Sequence, residues 1–181
     1  MRPRRPEQPA FWGDARGAAA VEFALLVPLM ALLYFGVVEV TQGAMTQQRV
    51  AHTASAIGDL VAQSSSITSD EVGDIFNVGD TIMSPYPTSG LQMRVSSLTA
   101  DANGNVTVAW SQASGMTALS KGATAPSLPA SVVGASESVI MGETKYSYQS
   151  VFGMVLPQPI VFRQTYYLHP RLSTRVTCAD C

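Results

Sequence analysis

AAAVEFALLVPLMALLYFGVV, from Ala18 to Val38, decides how the chain is built. Only Glu22 in it is charged at neutral pH, and its length matches the roughly 20 residues that a bilayer-spanning helix needs. It is too long for the core of a signal peptide, and no small-residue cleavage site follows it. Glu39 marks its outer end. Arg2, Arg4, Arg5 and Arg16 precede it, against Glu7 and Asp14, whereas the remainder carries seven basic and eleven acidic residues. Basic residues just before a span stay in the cytoplasm, so the N-terminus is expected inside and the rest of the chain outside.

Glu22 needs an explanation, because a carboxylate inside an apolar span costs a few kcal/mol. No partner exists within the span. A free α-amino group would serve: a chain cut after Gly17 would begin at Ala18, one helical turn from Glu22, and the amine would also reach Glu22 of a neighbouring subunit. The alternative is a Glu22 at the headgroup boundary, simply solvated. Pro28 removes one helical hydrogen bond and predicts a kink near Ala24–Pro28. Gly36 and Gly43 offer small surfaces that another helix could approach.

Working outward, the helical pattern continues past Glu39. Val50, Ala54, Ile57 and Val61 share one face, with Gln47, Gln48, Arg49, His52 and Asp59 around the others. One helix is expected from about Ala18 to Gln63, apolar all round in its first half and amphipathic in its second. The organisation is then a basic cytoplasmic leader (1–17), a transmembrane helix (18–39), an amphipathic stalk (40–63) and an extracytoplasmic head (64–181). Ser64-Ser65-Ser66 breaks the helix. Ser69 reads as the cap of a second helix reaching about Met83, ended by Pro85 and Pro87. Its acidic residues Asp70, Glu71, Asp74 and Asp80 read as a solvated face, their spacing being unlike that of an EF-hand calcium loop.

Leu91–Ser97 and Val106–Ser111 alternate around an Asn103-Gly104 turn signal and predict a β-hairpin. Gly115–Gly134 reads as a long surface loop, either an interaction surface or mobile, with a short helix after Pro129. Glu137–Gly142, Thr144–Val151 and Ile160–His169 read as strands, and Leu172–Thr177 as a last strand or a tail. The fold class is α+β: a long N-terminal transmembrane and stalk helix followed by a small head with an antiparallel sheet.

Composition narrows the function. Apolar residues make up 46% of the chain and charged residues 13%, against about 25% charged in ordinary soluble domains. With a net charge of −2 and no basic patch, nucleic acid is excluded as a partner. His52 lies on the stalk and His169 precedes a proline. No phosphate loop, GxSxG or purposeful carboxylate pair exists, so no catalytic residues and no cofactor are expected. Cys178 and Cys181 lie too near the C-terminal end for a redox CxxC and are too few for zinc, so no metal is expected. Either they close a small disulfide ring in an oxidising compartment, or they are two tail thiols without a role.

The stretch Arg16-Gly17-Ala18-Ala19-Ala20-Val21-Glu22-Phe23-Ala24-Leu25-Leu26-Val27-Pro28-Leu29, with Gly36 and Glu39 beyond it, resembles the opening of TadE-like proteins of the tight adherence (Tad) pilus system. The block from Tyr146 through Arg171 is similar to the closing half of TadE/TadG-like proteins, while the middle resembles no family. The resemblance implies a pilin-like element at the inner membrane, with cleavage between Gly17 and Ala18 by a prepilin peptidase and Glu22 as the fifth residue of the mature chain. Glu22, Phe23 and Pro28 would then serve helix register and assembly. Major Flp pilins carry Glu-Tyr where this chain has Glu22-Phe23, and they are little more than the helix. Both differences favour a minor pseudopilin, partnered by the membrane, other pilin or pseudopilin subunits and Tad assembly proteins. Against it stands a plain signal-anchored binding module, for example for cell-wall glycans, with Trp110, Tyr146 and Tyr148 as contacts.

Overall fold

A computed structural model describes residues 15–126, 128–129 and 132–181. The leader up to residue 14, and Ala130 and Ser131 within the stretch expected to be helical after Pro129, lie outside the described residues. The first element is helix α1, Ala15–Ala62, which runs unbroken through Pro28. At about 1.5 Å per residue it is about 70 Å long. Its two halves differ as the residues dictate: side chains from Gly17 to Met30 are all exposed, whereas Val50, Ala54, Ile57 and Val61 are fully buried on one stripe.

Strand β1 (Ser66–Ile67) and helix α2 (Ser69–Met83) follow. The cap of α2 is Thr68, one residue earlier than the sequence suggested. Its hydroxyl accepts from the Glu71 amide at 3.3 Å, and its own amide donates to Glu71 Oε2 at 2.8 Å. This capping box sets Glu71 at the third helical position, from which its carboxylate reaches back to the Thr68 amide. Ser69 instead donates its amide and hydroxyl to Asp180 at 3.0 and 2.8 Å.

Four longer strands form one antiparallel sheet in the order β3-β2-β4-β5: β2 Leu91–Ala100, β3 Val106–Ser114, β4 Ser138–Tyr148 and β5 Ile160–Leu168. The β2–β3 turn is built by Asp101, whose carboxylate accepts the amides of Asn103 and Asn105 at 2.8 Å each, with Gly104 at φ 82°. A bulge between Ser97 and Leu98 shifts the register, so that Ser97 faces Trp110 and Leu98 faces Val108 across the strands. Two strands were expected where β4 is one. Gly142, at the expected break, stays in the strand because α1 crosses it: a Cβ there would collide with the Ala54 carbonyl and lie 3.3 Å from the Gly58 Cα.

The second half of α1 packs with α2 on one face of the sheet, enclosing Val50, Ile57, Val61, Val72, Met93, Val95, Trp110 and Ile140. Thr144 reaches from β4 to the helix, its hydroxyl donating to the Val50 carbonyl at 2.9 Å. On the other face Leu98, Val108, Val139 and Met141 are covered by Leu119, Ala125, Leu128, Val132 and Val133. The stretch between β3 and β4, expected to be a surface loop, is therefore a lid over a second small core. Backbone bonds between Val106–Val108 and Gly122–Ala125 also use the free edge of β3.

The C-terminal stretch docks as well. Val176 is buried, its carbonyl accepting from Trp110 Nε1 at 2.8 Å, and β6 (Thr177–Cys178) pairs in parallel with β1. Cys178 and Cys181 are joined in a disulfide with their Cα atoms 5.6 Å apart.

Candidate functional site

The candidate site is the lower half of α1 and the place where it enters the head. From Val21 to Val40 the helix shows solvent a nearly continuous apolar surface, with Leu25 73% exposed. Such a surface is long and apolar enough to cross a membrane. Gly17 and Ala18 lie inside α1, and a Cβ at Gly17 would meet nothing within 4 Å. Glu22, Phe23 and Pro28 are exposed on the same stretch. Ala18 and Glu22 are four residues apart and therefore neighbours on one helix face. The ion pairs among the described residues are Arg94–Glu143 and Arg171–Asp59, neither of which involves Glu22.

Contact with the head begins at Phe35. Its ring meets that of Phe152 with centroids 4.9 Å apart. A Cβ on Gly36 would sit 3.2 Å from Val155 Cγ2, and one on Gly43 would lie 3.7 Å from Tyr148 and 3.8 Å from Leu156. The two glycines thus face the chain's own β4–β5 loop, not a second helix as their small size suggested. Between them is Glu39, only 1% exposed. Its Oε1 accepts the Met154 amide at 2.8 Å, and its Oε2 accepts those of Val155 and Leu156 at 2.8 and 2.9 Å. A carboxylate can take several bonds at once, and three successive amides in an irregular loop supply them. Gly153, at φ 63°, turns the loop so that these amides point inward.

Above this joint a cleft of about 630 Å³ opens between α1, the Tyr86–Gly90 segment and the end of β4. Tyr86 donates its hydroxyl to Gln42 Oε1 at 3.1 Å, and Tyr146 donates to the Pro87 carbonyl at 3.0 Å. Arg49 closes the C-terminal end of α2, donating to the Ile82 and Ser84 carbonyls at 3.1 and 2.7 Å.

This long helix, with a lone carboxylate on its bare apolar half and a head-bound upper half, has a counterpart among known families. Residues 17–58 match the TadE-like protein family. The TadE-like segment covers the exposed apolar half of α1, the Glu39 joint and most of the packed stalk. The family is a structural component of pili and not an enzymatic one. No curated protein and no solved structure matches the chain.

The residues singled out in the sequence fall into two groups. Gly17, Ala18, Glu22, Phe23 and Pro28 share one exposed helix and touch nothing in the head. Trp110, Tyr146 and Tyr148, considered as glycan contacts, are core residues: Trp110 is 3% exposed and its indole N–H is used within the fold. A sugar cannot stack on a ring whose faces are already covered, which removes Trp110 as a contact, while Tyr146 and Tyr148 are largely buried but still line the cleft beside α1. Glu39 was read merely as the end of the span. An acidic residue between two glycines at a span boundary, with an uncharged loop elsewhere in the chain, was the available signal.

Proposed function

We propose that the protein is a minor pseudopilin of a Tad-type pilus, a structural and assembly component held by one N-terminal helix. In this reading residues 1–17 are a cytoplasmic leader, 18–39 span the inner membrane, 40–63 form the stalk and 64–181 the extracytoplasmic head. The observation that carries it is Glu22: a single carboxylate on the bare, apolar half of α1, inside the TadE-like segment. A group of that kind calls for a partner from outside the helix surface. The α-amine exposed by cleavage between Gly17 and Ala18 is the partner this chain can supply, within the subunit or across to the next. Phe23 and Pro28 would then shape the contact with neighbouring helices. The same arrangement gives the membrane, other pilin-like subunits, Tad assembly proteins and a prepilin peptidase as partners.

The test has two parts. Intact mass and N-terminal sequencing of protein from native membranes should give a chain starting at Ala18. Glu22→Ala should reduce piliation while membrane insertion is retained. A chain beginning at Met1 together with undiminished piliation in Glu22→Ala would leave a plain signal-anchored protein.

A further inference from the structure

Along α1, 21 residues from Ala18 to Val38 rise by about 30 Å, the thickness of a bilayer's hydrocarbon core. The β4–β5 loop does not stay above that boundary. Phe152 packs at the level of Phe35 and Val155 at the level of Gly36, about one helical turn below Glu39. The loop tip is apolar and open: Val151 is 88% exposed, and Phe152, Met154 and Val155 are exposed beside it. From Tyr146 through Phe162 the chain carries no Asp, Glu, Lys, Arg or His.

We propose that this loop, residues 150–157, is a second membrane contact, its tip seated in the outer edge of the same bilayer that α1 spans. Irregular backbone near hydrocarbon is tolerated only where its amides are satisfied. Glu39 meets that condition for one side of the loop, taking the amides of Met154, Val155 and Leu156. The Gly153 amide donates to Ser150 Oγ at 3.4 Å. Lipid is the occupant that the position selects, because the exposed tip is continuous with the apolar surface of α1 around Leu32, Gly36, Val37 and Val40. The head is then tied to the bilayer at two points and cannot swing about the helix. The inference rests on α1 spanning a membrane and is independent of the pilus assignment.

The experiment uses the full chain, disulfide intact, reconstituted at low protein density in phosphatidylcholine and phosphatidylglycerol vesicles. Val151→Trp is made in a Trp12→Phe background, with buried Trp110 as a constant contribution. Leu25→Trp reports the middle of the span. Phosphatidylcholine brominated near the headgroup or near the chain end serves as quencher. Val151→Trp should show blue-shifted emission, quenched most by the shallow bromines, while Leu25→Trp is quenched most by the deep ones. Met154→Trp repeats the measurement at a second exposed position should Val151→Trp fail to fold. Water-like, unquenched emission at residue 151 with Leu25→Trp quenched would overturn the inference and leave the span standing. Blue-shifted emission that no lipid quenches and that grows with protein density would place a second copy on the loop and equally overturn it. Loss of quenching at both positions would remove the span as well.

Discussion

Gly142 on β4 and Gly58 on α1 set how closely the stalk lies on the sheet, and replacing Gly142 with Ala tests whether that closeness matters. The added Cβ meets the Ala54 carbonyl oxygen, part of the helix backbone, with the Gly58 Cα 3.3 Å away. Neither atom can rotate aside, so α1 must lift from β4. Overpacking of this kind costs about 1–3 kcal/mol. Lifting α1 also strains the buried bond from Thr144 to the Val50 carbonyl, which places Gly142→Ala toward the upper end. Gly58→Ala has a different obstacle, the Leu168 Cδ1 methyl at 2.7 Å, which is the end of a flexible side chain. Moving it offsets the roughly 1 kcal/mol that Ala gains over Gly in a helix, so the net change should be near zero. Gly73 in α2 has nothing within 4 Å of its Cβ position, so Gly73→Ala should stabilise by about 0.5–1 kcal/mol. Urea titration of the full chain in mild detergent, followed through Trp110 in a Trp12→Phe background, would rank the three. With slopes of about 1–3 kcal/mol per molar, Gly142→Ala should lower the midpoint by about 1 M. A Gly142→Ala protein as stable as Gly73→Ala would refute the close-contact reasoning.

Two further outcomes follow from the C-terminal stretch. Trp110→Phe keeps most of the ring but removes the shorter of the two bonds to the buried Val176 carbonyl, leaving that from Ser97 Oγ at 3.5 Å, so stability should fall by about 0.5–1.5 kcal/mol and protease should cut more readily after Arg171 or Arg175. Asp180 is held below the ordinary carboxylate range by the Ser69 side-chain and backbone hydrogen bonds. Because the folded value is the lower one, its stabilisation is present above the unfolded value of 3.8 and is lost as pH falls through the folded value. Asp180→Asn should therefore flatten the loss of stability on acidification. It should not abolish that loss, since Asp101 is lowered in the same direction by Asn105; an unchanged acid slope would count against the Ser69–Asp180 contact.

The helix and the hairpin were legible because each is a local pattern. A span of apolar residues and a stripe at Val50, Ala54, Ile57 and Val61 need no knowledge of their partners. The Asp101–Asn105 turn carries its own bonds. Non-local decisions were invisible. Gly142 reads as a strand break until α1 is laid across it, and the Gly115–Gly134 stretch reads as loose until Leu119, Leu128 and Val133 are found over Leu98 and Met141. Thr68 was overlooked beside Ser69 because both can cap, and the choice fell to Glu71, three residues after Thr68. Glu39 is the extreme case: its three donors lie 115 to 117 residues away.

The contrast between Glu39 and Glu22 bears most directly on function. They lie on one rigid helix, about 25 Å apart along its axis. Glu39 is satisfied entirely within the chain, and its bonds fix the β4–β5 loop to one level of α1. Glu22, on the bare half of the same helix, has no such arrangement among the described residues. A carboxylate bonded inside its own fold contributes to shape, whereas one left on an apolar surface favours any state that brings it a positive charge. If the α-amine of Ala18 provides that charge across a subunit boundary, the pairing sets the height of one helix against the next. Because α1 is continuous from Glu22 to Glu39, the same pairing also sets the height of the head and of the loop tip. Register errors at Glu22 would then appear as misplaced heads, so a Glu22 variant should impair assembly without altering the fold of residues 64–181.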